Sequence, residues 1–227
     1  MESNIFYEIA VWLIPLVIAI VFHEVSHGLV ARRLGDPTAE ERGRLSLNPI
    51  RHIDPFGTVI LPLLLAISHA PVFGWAKPVP VDYRRLNRPR RDMILVALAG
   101  PGMNLFLALV GAMILGATVA ISSGADEGAA SLVAANALNF ILINIFLAVF
   151  NLLPVPPFDG GHVVEGLLPP PLALRFRKIG RYSLLVLVIL LLVLPALSPS
   201  ANIVARVVNP IVGFVARLFL GIFGIAP

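Results

Sequence analysis

Long apolar runs separated by short polar loops dominate the chain. Three of these runs are long enough to cross about 30 Å of hydrocarbon at about 1.5 Å per residue, and they lie at about 9–31, 93–121 and 132–153. A shorter run at about 182–197 predicts a further span. The run at about 203–223 contains Arg206 and Arg217, so it is either a span with snorkelling arginines or an interfacial helix. The pattern predicts an all-α polytopic membrane protein, a bundle of about 4–6 membrane segments.

The apolar run at about 56–70 differs from the spans, because it has only 15 residues and contains Pro62. If it crossed the membrane, the basic loops on either side of it, at 32–54 and 74–92, would face opposite compartments. That arrangement contradicts the positive-inside rule. We therefore predict a short re-entrant or interfacial segment after the first helix.

With that segment turned back, the remaining spans alternate consistently. The amino terminus lies outside, both basic loops lie in the cytoplasm, the acidic loop at 122–131 lies outside, and the basic cluster at 175–181 lies inside. We expect a membrane-embedded core at 1–174, followed by C-terminal membrane segments at 175–227. The expected location is the cell membrane, which the chain crosses several times.

Composition agrees with a membrane protein. Hydrophobic residues make up 58% of the chain and charged residues 13%, with a mean hydropathy of +0.90, whereas a soluble domain carries about 25% charged residues. These values exclude a soluble enzyme, a nucleic-acid-binding protein and a disordered chain, and they make the lipid bilayer the main partner. The net charge of +4 reflects basic residues that face anionic lipid. Cysteine is absent, so a metal site must use histidine and carboxylate ligands.

The first apolar run contains the sequence HEVSH, with His23, Glu24 and His27. Two histidines four positions apart lie one turn apart on one helical face, so both imidazoles can bind one metal ion. Glu24 stands beside the first histidine, where a carboxylate can take a proton from water. A pair of core histidines is the alternative, but ionisable groups inside a membrane helix are costly and need a compensating partner. A divalent cation is such a partner.

A catalytic zinc usually has three protein ligands, and Asp159 is the best candidate for the third. It lies in NLLPVPPFDGG, just past the end of the third long run. The topology places that end of the run at the depth of the two histidines. The prolines hold this stretch extended, and Gly160 and Gly161 allow a close backbone approach. By itself the stretch is typical of a turn. Combined with HEVSH, it indicates a metal site.

These two motifs together, HEVSH in a membrane helix and N-x-x-P-x-P-P-x-D-G-G from Asn151 to Gly161, resemble the site-2 protease family of intramembrane zinc metalloproteases. GRLSLNPIRHIDPFGT, GWAKPVPV and RRDMILVALAGPGMN are similar to its compact members, so we expect a member without a PDZ domain. The resemblance implies three ligands for one zinc ion (Zn2+) per chain, His23, His27 and Asp159. It also implies that Glu24 is the catalytic acid and base, and that Asn151 hydrogen-bonds to the substrate carbonyl or the intermediate.

The function that follows is zinc-dependent hydrolysis of peptide bonds in membrane-embedded helical substrates, such as single-span membrane proteins, in regulated intramembrane proteolysis. The alternative is a membrane metal transporter, or another metal-binding membrane protein, that uses the same His/His/Asp site. Transporters often show repeated halves and several polar sites along a path, and the sequence shows neither. Substrate identity and oligomeric state are open at this stage.

Other polar residues have weaker signals. His52 and Asp54 are expected to order a loop rather than to line the entrance of the site. Asn104, in AGPGMN, is expected to hydrogen-bond between helices beside small residues. The role of His162, three residues after Asp159, is open. One interpretation is that it contacts a metal ligand and orients it.

Overall fold

The computed structural model describes residues 5–68, 74–121 and 127–225, and all regular secondary structure in these ranges is helical. The α-helices are α1 (Ile5–Arg33), α2 (Thr38–Glu41), α3 (Leu61–Ile67), α4 (Pro89–Ile121), α5 (Glu127–Asn151), α6 (Asp159–Leu167), α7 (Pro170–Gly180), α8 (Ser183–Val188), α9 (Leu194–Leu197) and α10 (Asn209–Ile222). Short 3-10 and π-helical turns connect several of them. The expected acidic loop at 122–131 and the end of the expected segment at 56–70 lie partly outside the described residues.

Four helical stretches in the described ranges are long and apolar enough to cross a membrane, namely Val11–Arg33, Pro89–Ile121, Ser131–Asn151 and Val204–Ile222. A fifth crossing results if α7 and the helical stretch Ser183–Leu197, which are bent by 74° at their junction, form one broken span. The prediction of an all-α polytopic membrane protein with about 4–6 segments is therefore confirmed.

The ambiguous run near the carboxyl end is a continuous helix. A π-helical turn, Val204–Val208, passes directly into α10. The resulting stretch of 19 residues has the length and hydropathy of a span. Its Ala216 and Leu220 pack into the central hydrophobic core, whereas Arg206 and Arg217 are exposed.

The centre of the molecule is formed by α1, α4 and α5, which pack against one another. Small residues of α4 lie at the contact with α5, where Ala108, Ala112, Ile141 and Ile145 are fully buried. A Cβ atom at Gly111 would lie 3.0 Å from the Ile141 side chain, so glycine lets the two helices approach closely. At this spacing, side chains on the facing surfaces of the three helices can contact one another directly.

The predicted re-entrant segment begins with a π-helical turn, Pro55–Ile60, and continues as α3. The Asp54 side chain accepts hydrogen bonds from two backbone N–H groups of the first turn, at 3.1 and 2.6 Å. The apolar part, Pro55–Leu65, is shorter than the candidate spans. The Trp75 N–H donates to the Gly57 carbonyl at 3.1 Å, so the segment lies against the loop that precedes α4.

Two loops are joined at the end of α1 that carries Arg32 and Arg33. Asp36 is fully buried in the loop after α1. Its carboxylate accepts hydrogen bonds from the Thr38 N–H at 3.0 Å, from the Thr38 hydroxyl, and from the Asp82 N–H at 2.6 Å. Because Asp82 belongs to the loop before α4, these bonds hold the two loops together beside α1.

Candidate active site

The structure brings His23, His27 and Asp159 to one point. The Nε2 atom of His23 lies 3.2 Å from Asp159 Oδ2, and that of His27 lies 3.4 Å from the same oxygen. The two Nε2 atoms are 3.0 Å apart. Both histidines are buried, and the Asp159 side chain is 17% exposed. The three side chains form a group that could hold one metal ion.

Asp159 reaches the histidines because the chain turns sharply after α5. The buried side chains of Leu153 and Phe158 pack in one hydrophobic cluster, and the Gly161 N–H donates to the Phe158 carbonyl at 2.9 Å. A Cβ atom at Gly161 would lie 3.0 Å from the Pro156 nitrogen. This tight turn needs glycine, and it places Asp159 at the first position of α6.

Hydrogen bonds on the outer edge of each imidazole determine which nitrogen faces inwards. His27 Nδ1 lies 2.7 Å from the Val96 carbonyl oxygen, which can only accept a hydrogen bond, so Nδ1 carries the hydrogen. His23 Nδ1 lies 2.6 Å from Asn104 Oδ1, which also accepts. In the neutral rings both Nε2 atoms are therefore left with a lone pair that points to the Asp159 carboxylate.

The donor set fits a zinc ion. Asp159 Oδ2 is buried without a hydrogen-bond partner, and two imidazole lone pairs face it, an arrangement that repels unless a cation lies between them. Four-coordinate zinc with bonds of 2.0–2.1 Å separates its ligand atoms by roughly 3.3 Å, close to the distances given above. An aspartate binds a metal ion as the ionised carboxylate.

Gly100 of α4 provides the space for the two imidazoles. A Cβ atom at this position would lie 2.6 Å from His23 Cε1 and 2.7 Å from His23 Nε2, and closer still to His27 Nε2. Gly100 also lies one helical turn before Asn104, which contacts His23. One face of α4 therefore packs against the two imidazoles, through the backbone at Gly100 and the amide side chain of Asn104.

Glu24 is held beside the cluster by the loop that precedes α4. Its Oε2 accepts a hydrogen bond from the Val79 N–H at 2.7 Å. A Cβ atom at Gly28, one turn further along α1, would lie 2.9 Å from the Val79 side chain, so the glycine lets this loop approach the helix. The half-buried carboxylate is fixed at one oxygen, and the other oxygen is left for a proton.

Asn151 has no described contact with the cluster of His23, His27 and Asp159. It is the last residue of α5, and its Nδ2 donates to the Leu147 carbonyl of the same helix at 2.9 Å. This bond uses one of the two N–H donors of the amide.

The remaining polar residues have structural roles in the described contacts. His52 donates from Nε2 to the Ser46 carbonyl at 2.8 Å, and Asp54 begins the re-entrant segment, so both order the loop, as expected. His162 lines a separate cavity of about 230 Å³ with Glu165 and Arg177. Asn104 does bond between helices, but the structure adds its contact with His23, which the sequence analysis missed. The sequence signal for this contact was the pair Gly100 and Asn104, a glycine and an amide residue one turn apart inside a span.

Known proteins with similar sequences are bacterial and carry protease names. The model of peptidase family M50 matches residues 115–194. "Putative zinc metalloprotease YwhC" of Bacillus subtilis is 36% identical over 201 residues, which are 84% of this chain and 85% of that protein. "Putative zinc metalloprotease Rip2" of Mycolicibacterium smegmatis is 33% identical over 191 residues, 84% of this chain and 68% of the relative. The Mycobacterium tuberculosis protein of the same name is 32% identical over 195 residues, with coverages of 86% and 68%. No solved structure gives a significant match.

Proposed function

Because this chain belongs to the site-2 protease family of zinc metalloproteases, peptidase family M50, we propose that it is an intramembrane endopeptidase that cleaves membrane-embedded helical substrates. It is a multi-pass membrane protein of the metalloprotease class with zinc as cofactor. The observation that supports intramembrane cleavage is the convergence of His23, His27 and Asp159 inside a helical bundle, with Glu24 beside them. The proposed substrates are single-span membrane proteins, and the proposed process is regulated intramembrane proteolysis.

We assign zinc to His23, His27 and Asp159, the HExxH type of site, with one ion per chain. Zinc in such a site polarises the scissile carbonyl and makes water acidic enough to lose a proton near neutral pH. Glu24 takes that proton and later delivers it to the leaving amine, which is general base and general acid catalysis by one carboxylate. The hydrogen bond from the Val79 N–H keeps the carboxylate at its place during both transfers.

Asn151 is proposed to donate a hydrogen bond to the substrate carbonyl as negative charge develops on its oxygen. One of the two N–H donors of this amide is engaged with the Leu147 carbonyl here, so the role uses the second N–H or a rotation away from Leu147. The proposal for Asn151 is therefore separate from that for the three ligands.

Depth and charge support an active site near the cytoplasmic surface. His27 lies six residues before Arg33, the last residue of α1, which corresponds to roughly 9 Å along the helix axis. Under the positive-inside rule, the end with Arg32 and Arg33 faces the cytoplasm and the amino terminus lies outside. Water then reaches the site from the cytoplasm of the cell. A helical substrate must unwind locally, because its carbonyl groups are engaged in backbone hydrogen bonds.

The division into a core at 1–174 and C-terminal membrane segments at 175–227 is retained as a proposal. All three proposed ligands lie in the first part. The second part contributes α10, whose Ala216 and Leu220 pack on the central core. The C-terminal segments are thus proposed to stabilise the bundle rather than to take part in the reaction.

The test is co-expression of the chain with a panel of single-span membrane proteins. We expect the wild type to cleave at least one of them within or near its membrane segment and Glu24→Gln to cleave none. Glu40→Gln is the matched control, because the Glu40 carboxylate pairs with the exposed Arg32 instead. Equal cleavage by wild type and Glu24→Gln would refute the proposed mechanism, and equal loss in both variants would refute the role given to Glu24.

A further inference from the structure

We propose that Asn144 and Asn104 form a directional amide chain that determines which nitrogen of His23 faces the zinc, and that both are positioning residues of the metal site. The proposal rests on the assignment of His23 as a zinc ligand. It gives a function to two polar side chains that lie in the membrane-spanning bundle and that the reaction itself does not use.

The chain of contacts crosses the bundle from α5 through α4 to α1. Asn144 Nδ2 donates to the Phe140 carbonyl at 2.8 Å. Asn104 Nδ2 donates to Asn144 Oδ1 at 2.8 Å and to the Ala19 carbonyl at 3.1 Å. Asn104 Oδ1 then lies 2.6 Å from His23 Nδ1. Both asparagines are 0% exposed, so water does not replace any of these partners.

Each link determines the orientation of the next. A carbonyl oxygen only accepts, so the atom of Asn144 beside Phe140 must be its nitrogen, and its oxygen must face Asn104. Asn104 must present its nitrogen to that oxygen and to the Ala19 carbonyl. Its own oxygen is left for His23, whose Nδ1 must then carry the hydrogen. The Nε2 atom keeps its lone pair and can bind the metal.

The opposite orientation of Asn104 is disfavoured by its neighbours. If the amide were reversed, its oxygen would face two acceptors, Asn144 Oδ1 and the Ala19 carbonyl, and its nitrogen would face His23 Nδ1. Two buried bonds would be lost. His23 would then carry its hydrogen on Nε2, the position that has to face the zinc. Asn144 contributes one of the two acceptors that prevent this reversal.

His27 shows why an amide chain is needed only for His23. The Val96 carbonyl accepts directly from His27 Nδ1 at 2.7 Å, and a backbone carbonyl has a fixed orientation. An asparagine side chain can present either oxygen or nitrogen. Its orientation therefore has to be set by further partners, and in the described bundle these partners are Asn144 and Ala19.

The test compares zinc affinity in three variants of the full chain, purified in lipid nanodiscs, by competition with a chelator. Asn144→Leu removes one of the two acceptors that orient Asn104, and we expect weaker zinc binding, up to the about 10- to 100-fold that follows the loss of a ligand's own partner. Asn144→Asp retains an acceptor oxygen for Asn104. As a protonated acid it also retains a donor for Phe140, so near-wild-type affinity is expected.

Asn139→Leu is the matched control. Asn139 lies on the same helix, and its Nδ2 donates to the Val11 carbonyl of α1 at 3.2 Å. It therefore joins α5 to α1, the two helices at the ends of the amide chain, without a described contact to the cluster. If the asparagines only hold helices together, Asn139→Leu and Asn144→Leu will weaken zinc binding equally. That result, unchanged zinc affinity in Asn144→Leu, or failure of Asn144→Asp to restore it would each overturn the proposal.

His23→Ala separates this proposal from the proposed function. If it binds zinc as tightly as wild type, the ligand assignment is wrong and the amide chain falls with it. If His23→Ala loses zinc and Asn144→Leu does not, only the amide chain is refuted. Because the measured quantity is zinc affinity, the outcome does not depend on whether a substrate has been found.

Discussion

Substitution of Gly100 by alanine tests the packing of the proposed metal site with the smallest available change. The new Cβ atom would lie 2.6 Å from His23 Cε1, whereas carbon atoms in ordinary contact are about 3.5–4.0 Å apart. The imidazoles, or α4 itself, must therefore move by about 1 Å, which is half the length of a zinc–nitrogen bond of about 2.0–2.1 Å. We expect a distorted or incomplete ligand set in Gly100→Ala.

The size of the effect follows from the cost of overpacking, which is about 1–3 kcal/mol for an added methyl group in a close-packed site. Without metal the imidazoles can turn aside, so the strain falls mainly on the zinc-bound state. At about 1.4 kcal/mol per factor of ten, zinc affinity should fall by about 5- to 150-fold. Proteolysis should fall at least as far, because the same displacement misplaces the groups that act on the substrate.

The assay is chelator competition on the purified chain, with Gly102→Ala as control. Gly102 lies two residues further along α4, and a Cβ atom there would meet nothing within 4 Å. It shares the helix, the chemistry and the membrane environment of Gly100, so its zinc affinity should equal that of wild type. Equal affinity in Gly100→Ala and Gly102→Ala would show that the two imidazoles are not packed against Gly100 in the folded protein.

Three further measurements test the proposed site and topology. Glu24→Gln should keep its zinc and lose cleavage by about 10²–10⁴-fold, because an amide cannot transfer the proton; loss of zinc in this variant would mean that Glu24 is a ligand or a structural residue. Alanine at His23, His27 or Asp159 should lower zinc content below one ion per chain, since three ligands are needed for a stable site; full zinc content in Asp159→Ala would remove it from the ligand set. Cysteines introduced at Arg44 and Arg88 of this cysteine-free chain should both be protected from an impermeant thiol reagent in intact cells, and labelling of only one would mean that the segment at 56–70 crosses the membrane.

The sequence predicted those parts of the site that depend on local periodicity. The spacing of His23 and His27 places them on one helical face whatever surrounds that helix, and the structure has them on α1 with their Nε2 atoms 3.0 Å apart. Asp159 needed one more premise, the alternation of spans, which puts the end of α5 at the level of the histidines. Alternation holds for a whole membrane protein, so charge counting was sufficient to bring the two motifs together.

Contacts that depend on the rotation of a helix about its own axis could not be predicted from the sequence. Whether Asn104 faces His23, lipid or another helix depends on how α4 is turned about its axis. That rotation results from close packing at positions such as Gly111 and Ile141, which have no polar signal. The role of Gly100 was missed for the same reason, because a glycine in a membrane helix indicates close approach without identifying the neighbour.

The two histidines and Asp159 are far apart in the sequence, so the ribosome makes them at different times. A ribosome that has completed α1 must still add α4, α5 and the following turn before Asp159 exists, which takes on the order of ten seconds at about 5–20 residues per second. During that interval a young chain has both imidazoles and Glu24 in the bilayer but lacks the carboxylate that completes the site. If Asp159 is the third zinc ligand, as proposed, such a chain cannot yet hold its zinc and cannot hydrolyse other newly made helices where it is inserted. Activity then begins only after the central bundle has been made.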